Sequence, residues 1–304
     1  MNRAFEDATP RELILRRMLI AVRAPAGLLA RIGALIPGRG RRQTWSAFVS
    51  RYESWTAVRR GMDRETWMRT TRGVPVLSYH AFCSGRSHDR YVTSRRAFAR
   101  QMAALRALGY RAIAFEELAQ ALSEARPPPW KSVVVTIDDG YRDNLELAHP
   151  VLSRRGIPAT IFLVSGRIGG RADWEDDSSR ADRPLLTFEE IARLQADGVR
   201  FGAHTRSHRS LPDATEDELI AEVEGSREDL EAALGVPVRT FAYPHGRHDE
   251  RAVAAVEAAG FVGAGTTEPR RVRADDAPLL VPRIEIRGDD SLLTFVRKLW
   301  FGGP

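Results

Sequence analysis

The sequence predicts an α/β fold in which a parallel sheet, closed or nearly closed into a barrel, is surrounded by helices. Strand-like and helical segments alternate six or seven times between residues 74 and 300. The clearest strand, Val133 to Ile137, consists of β-branched residues, as expected for a strand buried on both faces. Acidic and histidine residues follow directly after several strands, where the loops of α/β folds converge on a ligand.

The alternation begins at Val74, so residues 74–304 are predicted to form the main domain. The strand candidates are Val74 to His80, Tyr110 to Phe115, Val133 to Ile137, Ala159 to Val164, Val199 to Ala203, Val238 to Tyr243, Phe261 to Gly265 and Leu279 to Ile286. Helices are predicted at Ser94 to Leu108, up to about Ala125, Asn144 to Arg155, Thr187 to about Ala196, Thr215 to Leu234, Glu250 to Ala259 and Ser291 to Trp300. Thr187 and Glu190 form a capping-box pattern, and Gly169 to Pro184 is predicted to be a long loop at the rim of the site.

Residues 1–73 are predicted to form a basic helical extension. Between residues 11 and 36, four arginines and Pro25 interrupt an apolar stretch, which argues against a membrane-spanning helix. This stretch could lie on an anionic membrane surface, pack on another protein such as a glycan synthase, or pack on its own domain. Residues 37–43 are predicted to be a flexible basic linker, and the aromatic residues between positions 45 and 58 a helical packing face. No secretory signal precedes them, so a cytoplasmic location is expected, with contact to the inner membrane face through residues 11–36.

The composition is that of a soluble globular protein, with 43% apolar and 28% charged residues in a chain of 304. The net charge of +6 comes almost entirely from arginine and is concentrated partly in the N-terminal extension. No zinc knuckle or aromatic RNA-binding pattern accompanies that charge, so nucleic-acid binding is not expected. The single cysteine, Cys83, excludes an intramolecular disulfide and is interpreted as a small apolar residue.

Two adjacent carboxylates, Asp138 and Asp139, come directly after the strand that ends at Ile137. Because like charges so close must be offset, a cation is the simplest companion for them. Gly140 then allows a sharp turn. The alternative for this stretch alone is an ordinary Asp-Gly turn after a strand.

A second pattern, HTRSH, places His204 and His208 just after another predicted strand. Two histidines four residues apart can bind one metal ion if the segment turns helically, although surface histidines also fall at this spacing by chance. With one carboxylate of the Asp138-Asp139 pair they would supply two nitrogens and one carboxylate oxygen, the three-ligand set of a catalytic zinc site. Zinc fits this set best, and cobalt, nickel or iron would also be accepted.

TIDDG, HTRSH and FAYPHG occur in that order at predicted strand ends, and together they resemble the signature of the NodB-type polysaccharide deacetylases, carbohydrate esterase family four. The resemblance covers roughly Val74 to Trp300. It implies a distorted (β/α)7-type barrel and metal-dependent removal of an acetyl group from N-acetylated sugars. It also implies that Asp138 is the general base and that the metal ligands are Asp139, His204 and His208.

In FAYPHG, Pro244 aligns with the family's motif proline, so the backbone N–H of His245 would face the oxyanion, with Tyr243 beside it on the substrate side. His245 and His248 could also line a sugar cleft, or they could be solvated loop residues. Tyr141 and Trp174 are further candidates for stacking on a sugar.

The sequence departs from the usual family pattern in two places. The late Leu-x-His motif that supplies the catalytic acid is missing, and His80 is the proposed replacement. His80 ends VPVLSYH, which resembles the opening of the branch that deacetylates biofilm poly-N-acetylglucosamine; the alternative is a core histidine that closes a strand. Ala242 stands where many members have an arginine that holds the base, and Arg283 could reach Asp138 from another strand. A surface salt bridge is the alternative for Arg283.

The leading hypothesis is therefore a metal-dependent hydrolase that removes N-acetyl groups from N-acetylhexosamine units of a glycan, by a water molecule that the metal activates. A second hypothesis keeps the barrel and the metal but replaces the substrate by a small cyclic amide or a sugar intermediate. A long open groove would favour a polymer, and a site closed by the loop from Gly169 to Pro184 would favour a small molecule. A carbohydrate-binding relic is the third, and the presence of all four motif residues argues against it.

Overall fold

The computed structural model describes residues 73–129, 131–174, 180 and 183–303. The predictions for the N-terminal extension, including residues 11–36, the linker 37–43 and the aromatic residues 45–58, lie outside the described residues. The sheet and the site presented below belong to the compact unit formed by residues 70–104 and 111–304. In the part of the chain that the structure describes, no helix combines the length and apolarity needed to cross a membrane.

Ten strands are present in the described residues, and eight of them form one parallel sheet. They are β1 Val76–Tyr79, β2 Ala81–Cys83, β3 Val92–Ser94, β4 Arg111–Ile113, β5 Ser132–Ile137, β6 Thr160–Leu163, β7 Arg200–Ala203, β8 Thr240–Ala242, β9 Gly263–Gly265 and β10 Ile284–Glu285. The order in the sheet is β10-β1-β5-β6-β7-β8-β9, with β4 also paired to β5. All six residues of β5 are buried, which confirms the prediction of a strand covered on both faces.

The sheet curls so that its two ends are linked. The segment that carries β10 also forms a parallel bridge to β9, between Val281 and Gly265. The two backbone hydrogen bonds of this bridge, from Thr266 N to Val281 O and from Val281 N to Ala264 O, are both 2.8 Å long. The expectation of a distorted (β/α) barrel is thereby confirmed.

Seven α-helices accompany the strands in the described residues. They are α1 Arg95–Ala107, α2 Phe115–Ser123, α3 His149–Ser153, α4 Phe188–Ala196, α5 Glu216–Leu234, α6 Glu250–Ala258 and α7 Leu292–Phe301. The predicted capping box at Thr187 is present at the start of α4, and α5 begins with the same motif at Thr215 and Glu218. Each box satisfies backbone N–H groups that a helix start would otherwise leave unpaired.

The structure differs from the predicted elements in three places. The small parallel sheet of β2 and β3 was not predicted, because three-residue strands are too short to show an alternating pattern. The predicted strand from Leu279 to Ile286 is reduced to β10, since a 3-10 turn occupies Pro278–Leu280 and Pro282 follows it. The predicted helix from Asn144 to Arg155 begins with a π-helical turn, Asn144–Ala148, and continues as α3.

Candidate metal centre and active site

The site lies at the carboxyl ends of the parallel strands. His80 follows β1, Asp138 follows β5, and His204 follows β7. The backbone ladders continue for one residue into the site, because Asp138 N donates to Tyr79 O over 2.9 Å and His204 N donates to Leu163 O over 2.8 Å. The sheet therefore fixes where each functional side chain begins.

Asp139, His204 and His208 form a buried cluster whose potential ligand atoms all lie within 4.8 Å of one another. Oδ1 of Asp139 is 3.6 Å from Nε2 of His204 and 3.4 Å from Nε2 of His208. Asp139 and His208 both have left-handed backbone conformations, with φ of 73° and 65°. Side chains other than glycine seldom adopt this conformation, so the fold holds both residues against a local preference.

His204 is prepared to act as a metal ligand. Its Nδ1 lies 2.7 Å from the carbonyl oxygen of Ala242, which fixes the proton on Nδ1 and leaves the lone pair of Nε2 facing Asp139. Burial lowers the pKa of His204 to about 4. The imidazole is therefore neutral near pH 7, which is the form that binds a metal ion.

The ring of His208 is held among other rings. It stacks on the indole of Trp174 with centroids 4.9 Å apart at 26°, and it meets the rings of His204 and His245 edge to face at 4.9 and 4.8 Å. The sequence suggested Trp174 for stacking on a sugar, and the structure places the indole against His208. Trp174 therefore contributes to the orientation of a potential ligand.

The HTRSH loop is fastened to helix α5 by two acidic residues. Glu222 accepts hydrogen bonds of 2.9 Å from the backbone N–H groups of Arg206 and Ser207. Asp229 accepts two bonds of 2.8 Å from the guanidinium of Arg206. Apart from the acidic character of the helix, nothing in the sequence predicted these contacts, because the pairing depends on how α5 lies against the loop.

Asp138 is paired with Arg283 in a bidentate arrangement. Nη1 of Arg283 donates to Oδ1 over 2.7 Å and Nη2 donates to Oδ2 over 2.9 Å. Burial is the largest single influence and would raise the pKa of Asp138, but the charge and hydrogen bonds of Arg283, together with nearby His204 and His80, outweigh it, so the pKa lies below its ordinary value. A Cβ atom at Gly265 would come within 2.7 Å of Arg283 Nε, so glycine there makes room for the guanidinium. Arg283 is thus buried against Asp138, and the alternative of a surface salt bridge is wrong.

His80 also lies close to Asp138, with Nε2 3.8 Å from Oδ2 of that carboxylate. Its side chain is 17% exposed, so it faces the site without being sealed in the core. Nδ1 of His80 is buried and has no hydrogen-bond partner within the described residues. The ring of Tyr91 packs edge to face on the imidazole, with centroids 4.9 Å apart.

A polar cluster that the sequence did not reveal fixes the backbone around His80. Asn144 Nδ2 donates to the carbonyl oxygen of His80 over 3.0 Å. Asp143 accepts from Phe82 N over 2.9 Å and from Arg183 Nη1 over 2.7 Å. In the sequence, only the position of Asp143 and Asn144 shortly after Asp138 and Asp139 could have indicated that they lie near the site.

The remaining predicted site residues differ in how much of their side chains is exposed to a substrate. Tyr243 is fully buried, and its hydroxyl donates to Leu279 O over 3.2 Å, so only its backbone can face a substrate. Pro244 is buried beside it, and His245 follows with an exposed side chain and a φ of 57°. Tyr141 is likewise fully buried within an apolar cluster and has no surface to offer a sugar. His248 is exposed, and its Nδ1 lies 2.9 Å from Gly246 O.

Residues 125–264 match the family profile described as Polysaccharide deacetylase, and they include both carboxylates and both histidines of the cluster. The chain therefore contains a polysaccharide deacetylase domain. Members of this family are hydrolases that act on N-acetyl amide bonds, and the resemblance seen in the sequence is confirmed.

Individual relatives of this deacetylase cover most of the described domain. The poly-β-1,6-N-acetyl-D-glucosamine N-deacetylase of Staphylococcus aureus is 24% identical over 230 residues, which are 73% of this chain and 76% of that protein. The structure of IcaB from Ammonifex degensii is similar with a TM-score of 0.65 and 29% identity, over 75% of this chain and 97% of that one. BC0361, a polysaccharide deacetylase from Bacillus cereus, is similar with a TM-score of 0.61 and 27% identity, over 75% of this chain and 69% of that one.

Proposed function

We propose that this deacetylase removes acetyl groups from N-acetylhexosamine units of a polysaccharide, with a divalent metal ion held by Asp139, His204 and His208. The observation that carries the proposal is the Oδ1 atom of Asp139. It is buried, it lies between the Nε2 atoms of two histidines, and it accepts no hydrogen bond within the described residues. A buried carboxylate oxygen in this position needs a positive partner.

The donor set supports zinc as the metal. Two imidazole nitrogens and one carboxylate oxygen are the ligands of many catalytic zinc sites, which keep a further position open. The hydrogen bond from His204 to Ala242 O is the contact through which a protein typically orients a ligating histidine. A zinc ion bound here would polarise the acetyl carbonyl and lower the pKa of a water molecule.

The residues around the cluster divide the proton transfers between them. Asp138, kept ionised by Arg283, accepts a proton from the attacking water molecule. His80, whose Nε2 is 3.8 Å from that carboxylate, donates a proton to the nitrogen of the leaving amine, which is a poor leaving group without it. The backbone N–H of His245 stabilises the negative charge that develops on the acetyl oxygen.

The relatives and the site together support one substrate class. The Staphylococcus aureus relative is named for poly-β-1,6-N-acetyl-D-glucosamine, and it is similar over 73% of this chain. His80, which replaces the missing late histidine, precedes the other site residues in the sequence. We therefore propose a glycan that contains N-acetylglucosamine as the substrate.

The test is acetate release from N-acetylglucosamine oligomers by the purified full-length protein. We expect release that stops with a chelator and returns with zinc, and a fall of about 10²- to 10⁴-fold in His80→Ala. Arg193→Gln, an exposed change on helix α4, is the matched control and should release acetate at the normal rate. Full activity after complete removal of metal would refute metal dependence. No release from any oligomer by zinc-loaded protein would refute the proposed substrate.

A further inference from the structure

A cavity of about 390 Å³ lies between the start of helix α1 and the end of helix α3. We call it the arginine pocket, because four of its lining residues are arginines. Its polar lining is Ser84, Arg95, Arg96, Arg154 and Arg155, and Val151 contributes an apolar wall. None of the residues that line it is a metal-ligand candidate or a member of the cluster around Asp138. The arginine pocket is therefore a feature distinct from the deacetylase site.

The charge of the arginine pocket is uncompensated within the part of the chain that the structure describes. None of the four arginines forms an ion pair with a described carboxylate, and no acidic residue lines the cavity. Arginines elsewhere are often paired, as Arg142 is with Glu190 at 2.7 Å and Arg206 with Asp229 at 2.8 Å. Four guanidinium groups are always charged at physiological pH, so an anion would relieve their mutual repulsion.

The helix dipole favours the positions of only two of these four arginines. Arg154 caps the C-terminus of α3, and Arg155 donates to Val151 O over 3.1 Å, so these two cations lie where a helix dipole favours them. Arg95 and Arg96 occupy the first turn of α1, where the dipole disfavours positive charge and no acidic residue is present. Helix α1 and the end of helix α3 thus place positive charges at one cavity, and in α1 these charges are unfavourable for the helix itself.

We propose that the arginine pocket binds a phosphate group, either in a free anion such as diphosphate or in an esterified form such as a lipid headgroup. The planar fork of a guanidinium matches two phosphate oxygens at once, and the hydroxyl of Ser84 adds a further donor. The cavity volume falls within the range of small-molecule sites and is large enough for a diphosphate or a sugar phosphate. The inference does not rest on the deacetylase activity.

Binding of inorganic phosphate and inorganic diphosphate to the full-length protein, measured by calorimetry at low salt, tests the proposal. The test variant is Arg96→Gln with Arg154→Gln, two exposed residues of the pocket on different elements. The control is Arg193→Gln with Arg297→Gln, which removes the same charge from exposed positions outside the pocket. We expect the test variant to lose affinity by at least about tenfold and the control by less than about twofold.

A second arm distinguishes the two sources of phosphate. Cosedimentation with phosphatidylglycerol vesicles, beside phosphatidylcholine vesicles, measures binding to an esterified phosphate. If vesicle binding falls in the test variant and not in the control, the ligand is a lipid headgroup. If only the binding of phosphate or diphosphate measured by calorimetry falls, the ligand is a free anion. The proposal is overturned if the wild-type protein binds no probe, or if both double variants lose affinity equally. Circular dichroism melting and acetate release from soluble oligomers should be unchanged in both variants, which excludes misfolding.

Discussion

The two adjacent carboxylates at the end of β5 are equally buried and have different partners. Asp138 is 2% exposed and receives two hydrogen bonds from Arg283 at 2.7 and 2.9 Å. Asp139 is 3% exposed and faces two imidazole nitrogens at 3.4 and 3.6 Å. One carboxylate thus has a permanent cation in contact, and the other has only uncharged or weakly basic groups near it.

This difference explains how neighbouring residues of the same type can act differently. A carboxylate held by a guanidinium stays ionised and oriented, which suits a proton acceptor. A carboxylate beside two imidazoles has no permanent cation in contact, which suits a metal ligand. The close polar contacts of the two carboxylates are accordingly different, a guanidinium for Asp138 and two imidazoles for Asp139.

The largest expected effect is that of Asp139→Ala, which removes the carboxylate without a fixed cation. We expect zinc binding to be lost and acetate release to fall by at least about a thousandfold, because metal-ion catalysis contributes several kcal/mol to the barrier. Zinc content after dialysis, measured by mass spectrometry, and acetate release are the measurements. A variant that keeps one zinc ion per chain would show that Asp139 is not a ligand and that the two carboxylates do not differ in this way.

Asp138→Asn should remove activity without removing the metal. The amide keeps the shape of the side chain but cannot accept a proton, so acetate release should fall by about 10²- to 10⁴-fold. Zinc content should remain that of the wild-type protein, in contrast to Asp139→Ala. Loss of zinc in both variants would show that the two carboxylates act together on the metal.

Arg283→Met tests whether Asp138 is balanced by a fixed charge. The change leaves a buried carboxylate unpaired, so the free energy of unfolding should fall by about 3 to 5 kcal/mol. The double variant Asp138→Asn with Arg283→Met removes the uncompensated charge and should recover much of that loss. Urea unfolding of Arg283→Met, Asp138→Asn and the double variant measures both quantities. A single variant as stable as the wild-type protein would contradict the pairing.

Asn144→Ala probes the side of the site that holds His80 and should have the smallest effect. Loss of the hydrogen bond to His80 O should lower kcat by about tenfold with little change in KM, because a loosened acid weakens the transition state more than substrate binding. Gln195→Ala is a matched control, since it removes an amide hydrogen bond of 3.3 Å to the carbonyl oxygen of Leu234. Equal kinetic effects of the two changes would show that Asn144 does not position His80.

The sequence predicted the parts of the site that lie close to strand ends. Asp138 and His204 follow strands directly, and Asp139 and His208 come shortly after them, so local patterns are enough to bring all four to one edge of the sheet. For Arg283 the sequence left two alternatives open, a contact with Asp138 and a surface salt bridge. Asp138 is 145 residues away in the chain, and only the place of β10 beside β1 brings the two side chains together. The hydrogen bonds of Asp143 and Asn144 to the segment after His80 were not predictable, since β2 is too short to be recognised and its path was unknown.

Anomalous scattering at the zinc edge, from crystals of the zinc-loaded protein, tests directly whether Asp139 binds the metal while Asp138 does not. We expect one peak at about 2.0 to 2.2 Å from a carboxylate oxygen of Asp139 and from Nε2 of His204 and His208, with Asp138 still paired to Arg283. A peak coordinated by Asp138, or no peak in crystals of fully active protein, would contradict the division of roles between the two carboxylates.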